Sequence, residues 1–261
     1  MSEIIKNPKQ INPVPLPDVA IFLYGRGRVN FSWKFTRKEP FWFLYYNPEP
    51  GAVLNFDGRE LRPGGDEIVL IPPGTPFTSS CESSFEHIYI HFTVGRPYSQ
   101  VRPGVMVFAR SVCGTLDRLL QTETPSPAAV YAFLFSALAA IPEERFADRE
   151  KPVDDRIQRA MCLLNDGFDN GEICRRIGMS QSNFLRAFRR EAGLSPQNYA
   201  MTLRLEKARC RLETGNLSIR VIAAECGFSD RYAFSKAFRK YVGMPPGRYR
   251  SAARGKDDAP R

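Results

Sequence analysis

Between Val19 and about Val107 the apolar residues alternate with polar ones or come in short bursts. Phe31, Trp33 and Phe35 alternate with Ser32 and Lys34, and Ile88, Ile90 and Phe92 alternate with His87, Tyr89, His91 and Thr93. Successive side chains of a strand point to opposite faces, so a period of two predicts strands. Ile68-Val-Leu-Ile71 is a short apolar run stopped by Pro72-Pro73-Gly74, and turn signals fall at Pro48–Gly51, Asp57-Gly58 and Pro63-Gly64-Gly65. Short strands at this spacing predict a small antiparallel barrel or sandwich. Alternation does not decide which face points inward, because residues 41–46 are apolar or aromatic throughout. The period then changes. Leu116, Leu119 and Leu120 predict a short helix broken at Pro125, and Pro127 suits the first turn of the next. Val130, Phe133, Leu134, Ala137, Leu138 and Ile141 recur at helical spacing, a stripe that packs on its own domain or makes a dimer contact.

From Ile173 onward one pattern occurs twice. Phe184/Phe234, Ala187/Ala237, Phe188/Phe238, Arg189/Arg239, Gly193/Gly243, Pro196/Pro246 and Tyr199/Tyr249 coincide at an offset of fifty residues. Ile173/Ile222 and Gly178/Gly227 coincide at forty-nine, so one residue is gained between them in the second copy. Each copy reads as short helix, glycine turn, second helix, the plan of a helix-turn-helix. Ser180 and Asp230 are N-caps for the second helices, and small Cys174 and Ala223 allow two helices to approach. Phe184, Ala187, Phe188 and their counterparts Phe234, Ala237, Phe238 mark the buried faces. Gln181, Ser182, Arg186 and Arg189, and Asp230, Arg231, Ser235, Lys236 and Arg239, then face outward. Between the copies, Tyr199, Leu203, Leu205, Ala208 and Leu212 predict a helix from about Pro196 to Glu213. Such a helix is about 27 Å long, suited to holding two recognition helices one DNA turn, about 34 Å, apart.

Charge follows this division. Residues 1–151 carry 16 Lys and Arg against 16 Asp and Glu, whereas residues 152–251 carry 18 against 10. A basic excess confined to the repeat is the electrostatic footprint of a nucleic-acid partner. The six cysteines are scattered, with no metal-site spacing, which fits reduced thiols in a cytosolic protein. No apolar signal segment or membrane-length run occurs, so a cytoplasmic, nucleoid-associated protein is expected, with no membrane partner.

Leu203-Arg-Leu-Glu-Lys-Ala-Arg209, Leu217-Ser-Ile-Arg-Val-Ile-Ala223, Gly227-Phe-Ser-Asp230, Phe234, Phe238, Gly243 and Pro245-Pro-Gly-Arg-Tyr-Arg250 together resemble the C-terminal domain of the AraC/XylS family of bacterial transcription regulators. The second copy is the closer match. The resemblance implies base contacts from early and middle positions of both recognition helices: Ser182, Leu185 and Arg186 in the first, Tyr232, Ala233 and Lys236 in the second. Leu185 and Ala233 cannot hydrogen-bond a base but can touch a thymine methyl. Arg190, Lys240, Arg248 and Arg250 are candidate phosphate contacts. The full DNA-binding set is Gln181, Ser182, Leu185, Arg186, Arg189, Arg190, Arg231, Tyr232, Ser235, Lys236, Arg239 and Lys240.

Gly64-Gly-Asp-Glu-Ile-Val-Leu-Ile-Pro-Pro-Gly-Thr-Pro76, followed by His87-Ile-Tyr-Ile-His-Phe92, resembles the cupin-type sensor domain of the same family. Phe77 stands where metal-binding cupins offer a histidine, and His87 with His91 falls short of the three or four donors a metal requires, so neither metal nor cofactor is expected. A small molecule such as a sugar is the expected occupant, with Trp33, Trp42, Tyr45, Tyr46, Phe77, His87, Tyr89 and His91 as candidate ligand residues.

The expected architecture is multidomain. An arm (residues 1–18) leads into an all-β cupin-like barrel (19–108), followed by a helical dimerisation or packing segment (109–141) and a charged linker (142–153). An all-α domain of two helix-turn-helix units joined by a long helix (154–250) and a disordered tail (251–261) complete the chain. The expected function is a ligand-responsive, sequence-specific regulator, not an enzyme. Its expected partners are promoter or operator DNA, a small-molecule effector, a second copy of the chain and, for an activator, RNA polymerase. The alternatives are a DNA-tethered cupin enzyme, a DNA-repair alkyl acceptor and a constitutive DNA binder without an effector.

Overall fold

The computed structural model describes residues 18–29, 35–146, 155–214 and 216–253. Among the described residues nine strands come first: β1 (Val19–Val29), β2 (Phe35–Arg37), β3 (Trp42–Tyr46), β4 (Ala52–Phe56), β5 (Arg59–Leu61), β6 (Glu67–Ile71), β7 (Phe77–Cys81), β8 (Phe85–Val94) and β9 (Met106–Ala109). They form an antiparallel five-stranded sheet, β1-β8-β3-β6-β9, facing a four-stranded sheet, β2-β7-β4-β5. The turn signals fall between strands. At the tight β4–β5 hairpin Asp57 and Gly58 both take positive φ, 47° and 70°, as a two-residue turn matched to strand twist requires.

The run at 41–46 is apolar throughout because β3, in the middle of the five-stranded sheet, is covered on both faces. Phe43 and Tyr45 point between the sheets with Phe22, Leu54, Val69, Phe77, Phe85 and Tyr89. Trp42, Leu44 and Tyr46 point to the opposite face, with Ile68, Leu70, Ile88, Ile90 and Phe92. That outer face is covered by α1 (Leu116–Leu120) and α2 (Pro127–Ala139), whose Leu116, Leu119, Val130, Phe133, Leu134, Ala137 and Leu138 complete its cluster. The 130–141 stripe therefore packs on its own domain, the first of the two readings open to it. Ser126 caps α2 ahead of Pro127. Glu143–Arg145 form a short 3-10 turn and Phe146 pairs with Val101. The first part of the expected linker is thus fastened to the barrel by backbone hydrogen bonds. Residues 1–17, Phe31, Trp33 and 147–154 lie outside the described residues.

The rest is helical: α3 (Asp155–Asn165), α4 (Asn170–Ile177), α5 (Gln181–Ala192), α6 (Pro196–Thr214), α7 (Ile219–Glu225), α8 (Arg231–Val242) and α9 (Pro246–Ala253). α9 takes residues 251–253 from the expected tail, because Tyr249, buried in its middle, anchors a helix long enough to run past Arg250. The remaining tail, 254–261, lies outside the described residues. α6 packs against β1 at the open side of the barrel, so the space between the sheets and the first helix-turn-helix unit share one apolar cluster.

Candidate nucleic-acid interface

Each recognition helix is fixed from behind by the same aromatic ladder. In the first unit Phe184 meets Phe188 at 5.6 Å between ring centroids, and Phe188 meets Tyr199 of α6 at 5.4 Å. In the second, Phe234 meets Phe238 at 5.4 Å and Phe238 meets Tyr249 of α9 at 5.5 Å. All four phenylalanines are fully buried. The helices start on the caps read from the sequence: Ser180 Oγ accepts from the Asn183 amide at 3.4 Å, and Asp230 Oδ1 from the Ala233 amide at 2.7 Å. They stop at Gly193 and Gly243, whose φ values of 75° and 89° lie in the left-handed region that side chains rarely adopt.

With one face fixed, the other is set by the 3.6-residue period. Gln181, Ser182, Leu185, Arg186, Arg189 and Arg190 are exposed on α5, and Arg231, Tyr232, Lys236, Arg239 and Lys240 on α8. Ser235 is half-buried, as is Ala233. Tyr232, at 80% exposure, is the most projecting large side chain of α8. Arg186 donates to Asn183 Oδ1 at 2.6 Å, and Arg190 donates to Glu191 at 2.9 Å. Among the described residues, no carboxylate forms an ion pair with Arg189, Arg231, Lys236, Arg239 or Lys240. The two helices therefore carry uncompensated positive charge on one side and an apolar anchor on the other.

The barrel residues selected as ligand contacts separate into two groups. Tyr45, Phe77, His87, Tyr89 and His91 do converge between the sheets, but they fill that space with one another. The His87 ring lies 4.8 Å from Tyr45 and 5.0 Å from Tyr89, and His91 lies 4.7 Å from Phe43. His87 Nδ1 is 2.7 Å from Asn47 Oδ1, and the Tyr89 hydroxyl donates to Cys210 Sγ of α6 at 3.1 Å. Trp42 and Tyr46 are corrected: strand alternation puts them on the outer face beneath α1 and α2, away from the barrel interior. Among the described residues no three His, Cys, Asp or Glu side chains cluster as metal ligands.

A charged cluster at the seam between the halves was missed in the sequence. Arg37 of β2 donates to Glu206 of α6 at 2.9 Å, and Arg209 donates to Glu206 at 3.3 Å and to Glu213 at 2.5 Å. The Tyr241 hydroxyl of α8 lies 2.8 Å from Glu206 and 3.1 Å from Glu39, and the Tyr249 hydroxyl donates to Glu213. The guanidinium carbons of Arg37 and Arg209 stand 4.5 and 5.1 Å from the Phe35 ring centroid. Burial by itself would raise the Glu206 carboxyl, but Arg209, Arg37 and His91 outweigh it and hold it well below the usual range. Glu39, with burial dominant, is raised. His91 Nδ1 is 3.3 Å from Glu206, yet burial prevails and holds its pKa down to about 4, so the ring is neutral. The available signal was Glu206, Arg209 and Glu213 at helical spacing among the apolar positions of α6, a charged face on a helix that has core on both sides.

Comparisons with known proteins agree with this layout. Residues 173–252 match the family model described as a helix-turn-helix domain. The raffinose operon transcriptional regulatory protein RafR of Pediococcus pentosaceus is 24% identical over 250 residues, covering 85% of this chain and 89% of that protein. The HTH-type transcriptional activator RhaR of Klebsiella pneumoniae is 27% identical over 170 residues, 62% of this chain and 60% of that protein. In fold, the chain is similar to ToxT of Vibrio cholerae, with a TM-score of 0.58 at 12% identity, over 88% of this chain and 98% of that one. The chain therefore carries a helix-turn-helix domain over residues 173–252 and is similar along most of its length to a transcriptional regulatory protein, with a two-sheet domain ahead of the helices as in ToxT.

Proposed function

We propose that the protein is a ligand-responsive, sequence-specific regulator that places α5 and α8 in successive major grooves and senses a small molecule, such as a sugar, through its N-terminal domain. The observation that carries the reading is the pair of equivalent helices, each anchored by buried phenylalanines and exposing cations, Arg189 on α5 and Lys236, Arg239 and Lys240 on α8, that form no ion pair among the described residues. Gln181, Ser182, Leu185 and Arg186, with Arg231, Tyr232, Ser235 and Lys236, then face the bases, while Arg189, Arg190, Arg239 and Lys240 meet phosphates. The 19 residues of α6 span about 28 Å, compatible with two grooves one turn apart. A sugar effector is supported by the name of RafR, which refers to the raffinose operon. The seam gives such a ligand a route to the DNA-binding half, provided that it binds the domains' alternative arrangements with different affinity. Function as a homodimer and, for an activator, contact with RNA polymerase belong to the same proposal.

Selection of sites from random duplex DNA with the full-length protein tests it. The expected result is a motif with two elements about 10 base pairs apart. Recovery of no motif, with binding that collapses as salt rises, means bare phosphate attraction and overturns the reading. If saturating effector changes neither affinity nor spacing preference, the ligand-responsive half fails.

A further inference from the structure

A cleft of about 600 Å³ lies between the barrel rim and the first helix-turn-helix unit, within the ~300–1,000 Å³ range of small-molecule sites. The barrel contributes Lys38, Glu39, Trp42 and Ser99; α3 contributes Gln158, and the end of α5 contributes the stretch from Arg190 to Leu194. Gln158 is 9% exposed, and its amide nitrogen has no hydrogen-bond partner among the described residues; the same holds for the Ser99 hydroxyl. Close packing holds Gln158 in place: a Cβ on Gly95 would meet Gln158 Cγ at 3.2 Å, so the glycine lets α3 approach the end of β8. A buried amide donor without an acceptor opposes folding and calls for an explanation, and a bound ligand supplies one.

The lining also states what kind of ligand fits. Lys38 and Arg190 are balanced by Glu39 and Glu191, so the cleft carries no formal net charge. Gln158 and Ser99 offer hydrogen-bonding groups, and Met161, Ile157 and Leu194 supply apolar surface beside them. Such a set suits a neutral, hydroxyl-rich molecule of sugar size. The space between the two sheets, by contrast, is filled by its own aromatic and histidine side chains. We infer that the effector site is this interdomain seam rather than the barrel interior, and that it takes a neutral sugar-like molecule touching both the barrel rim and the end of the first recognition helix. The inference rests on the ligand-responsive reading above and adds the location and chemistry of the site.

The test is titration of the full-length protein with glucose, galactose, fructose and raffinose, read by calorimetry and thermal melting. At least one sugar is expected to bind and raise the melting temperature. Gln158→Leu, which removes the amide at nearly constant shape, is expected to weaken that sugar about tenfold or more while melting at or above the wild-type temperature. Tyr89→Phe alters the barrel interior and serves as the counter-variant. Sugar binding that survives Gln158→Leu, or that is lost in Tyr89→Phe instead, overturns the seam assignment. No response to any of the four sugars overturns it as well. Failure of the regulator reading itself is seen separately, as absence of a selected DNA motif.

Discussion

The two helix-turn-helix units share a pattern but are held to the barrel by different forces. In the first unit, Ile157, Ala160, Met161, Phe184 and Tyr199 belong to the same apolar cluster as Phe22, Phe43, Tyr45 and Tyr89 of the barrel. In the second, Leu205, Ala208, Leu212, Ile222, Phe234, Phe238 and Tyr249 form a cluster of their own, with barrel Phe35 packed against it. Its tie to the barrel is polar: Tyr241 reaches Glu39 and Glu206, which is paired with Arg37. Apolar contact is non-directional and indifferent to charge, whereas a buried ion network depends on every member keeping its partner. The first unit is therefore coupled to the barrel through shared core, and the second mainly through a buried ion clasp.

The sharpest way to break this comparison is to cut each core. Phe184→Ala and Phe234→Ala should each cost about 3–5 kcal/mol of local stability, but with different reach. Both tryptophans, Trp33 and Trp42, lie in the N-terminal half, so their fluorescence reports the barrel during urea unfolding. Phe184→Ala should shift that transition, while Phe234→Ala should shift the helical circular-dichroism signal and leave tryptophan largely in place. Equal shifts of the tryptophan midpoint would remove the distinction between the units.

Of similar size is the effect of Glu206→Ala, which leaves Arg37 and Arg209, 6% and 5% exposed, without their shared carboxylate. Stranding buried charge costs about 3–5 kcal/mol. The double variant Arg37→Met/Glu206→Met should lose less than the sum of its single changes, a double-mutant cycle in denaturant giving the coupling directly.

Acid tests the clasp without mutation. His91 is held down to about 4 by burial, against about 6.5 for an unperturbed imidazole. Its folded-state value is the lower, so the unfolded chain binds more protons between those limits. The stability that the neutral ring supplies is thus complete above pH ~6.5 and lost as the pH falls toward ~4, roughly 3 kcal/mol in all. Glu206, held well below the ordinary carboxylate range by Arg209 and Arg37 against its burial, adds a loss that begins at lower pH, below its unfolded value. Denaturation midpoints followed from pH 7 to 4 should fall, and His91→Gln should flatten the upper part of that slope. An unchanged slope in the variant would take His91 out of the account.

The smallest expected effects compare the two reading heads. Arg186→Ala and Lys236→Ala should each cost about 1–3 kcal/mol of specific binding and relax preference in opposite elements of the selected motif. Loss of preference in the same element would show that α5 and α8 do not read separate grooves.

Much of the candidate interface was legible in the sequence because it is local. Buried phenylalanines three and four residues apart, a Ser or Asp cap and a terminating glycine determine a helix and which of its sides is exposed, and no distant contact is needed to place Arg186 or Lys236 on the surface. The strands and their turns were legible for the same reason, since alternation and the Asp57-Gly58 pair act over a few residues. Tertiary structure decided everything that depends on what covers a face. Strand periodicity separates Trp42 and Tyr46 from Tyr45, but the helices α1 and α2 make the first pair outer core and leave the second face toward the barrel interior. The clasp joins Arg37 to Glu206 across 169 residues, and the seam brings Gln158 beside the barrel rim. Such pairings carry no period along the chain; they exist because α6 closes the open side of the barrel, and its own charged face has to be satisfied where it is buried.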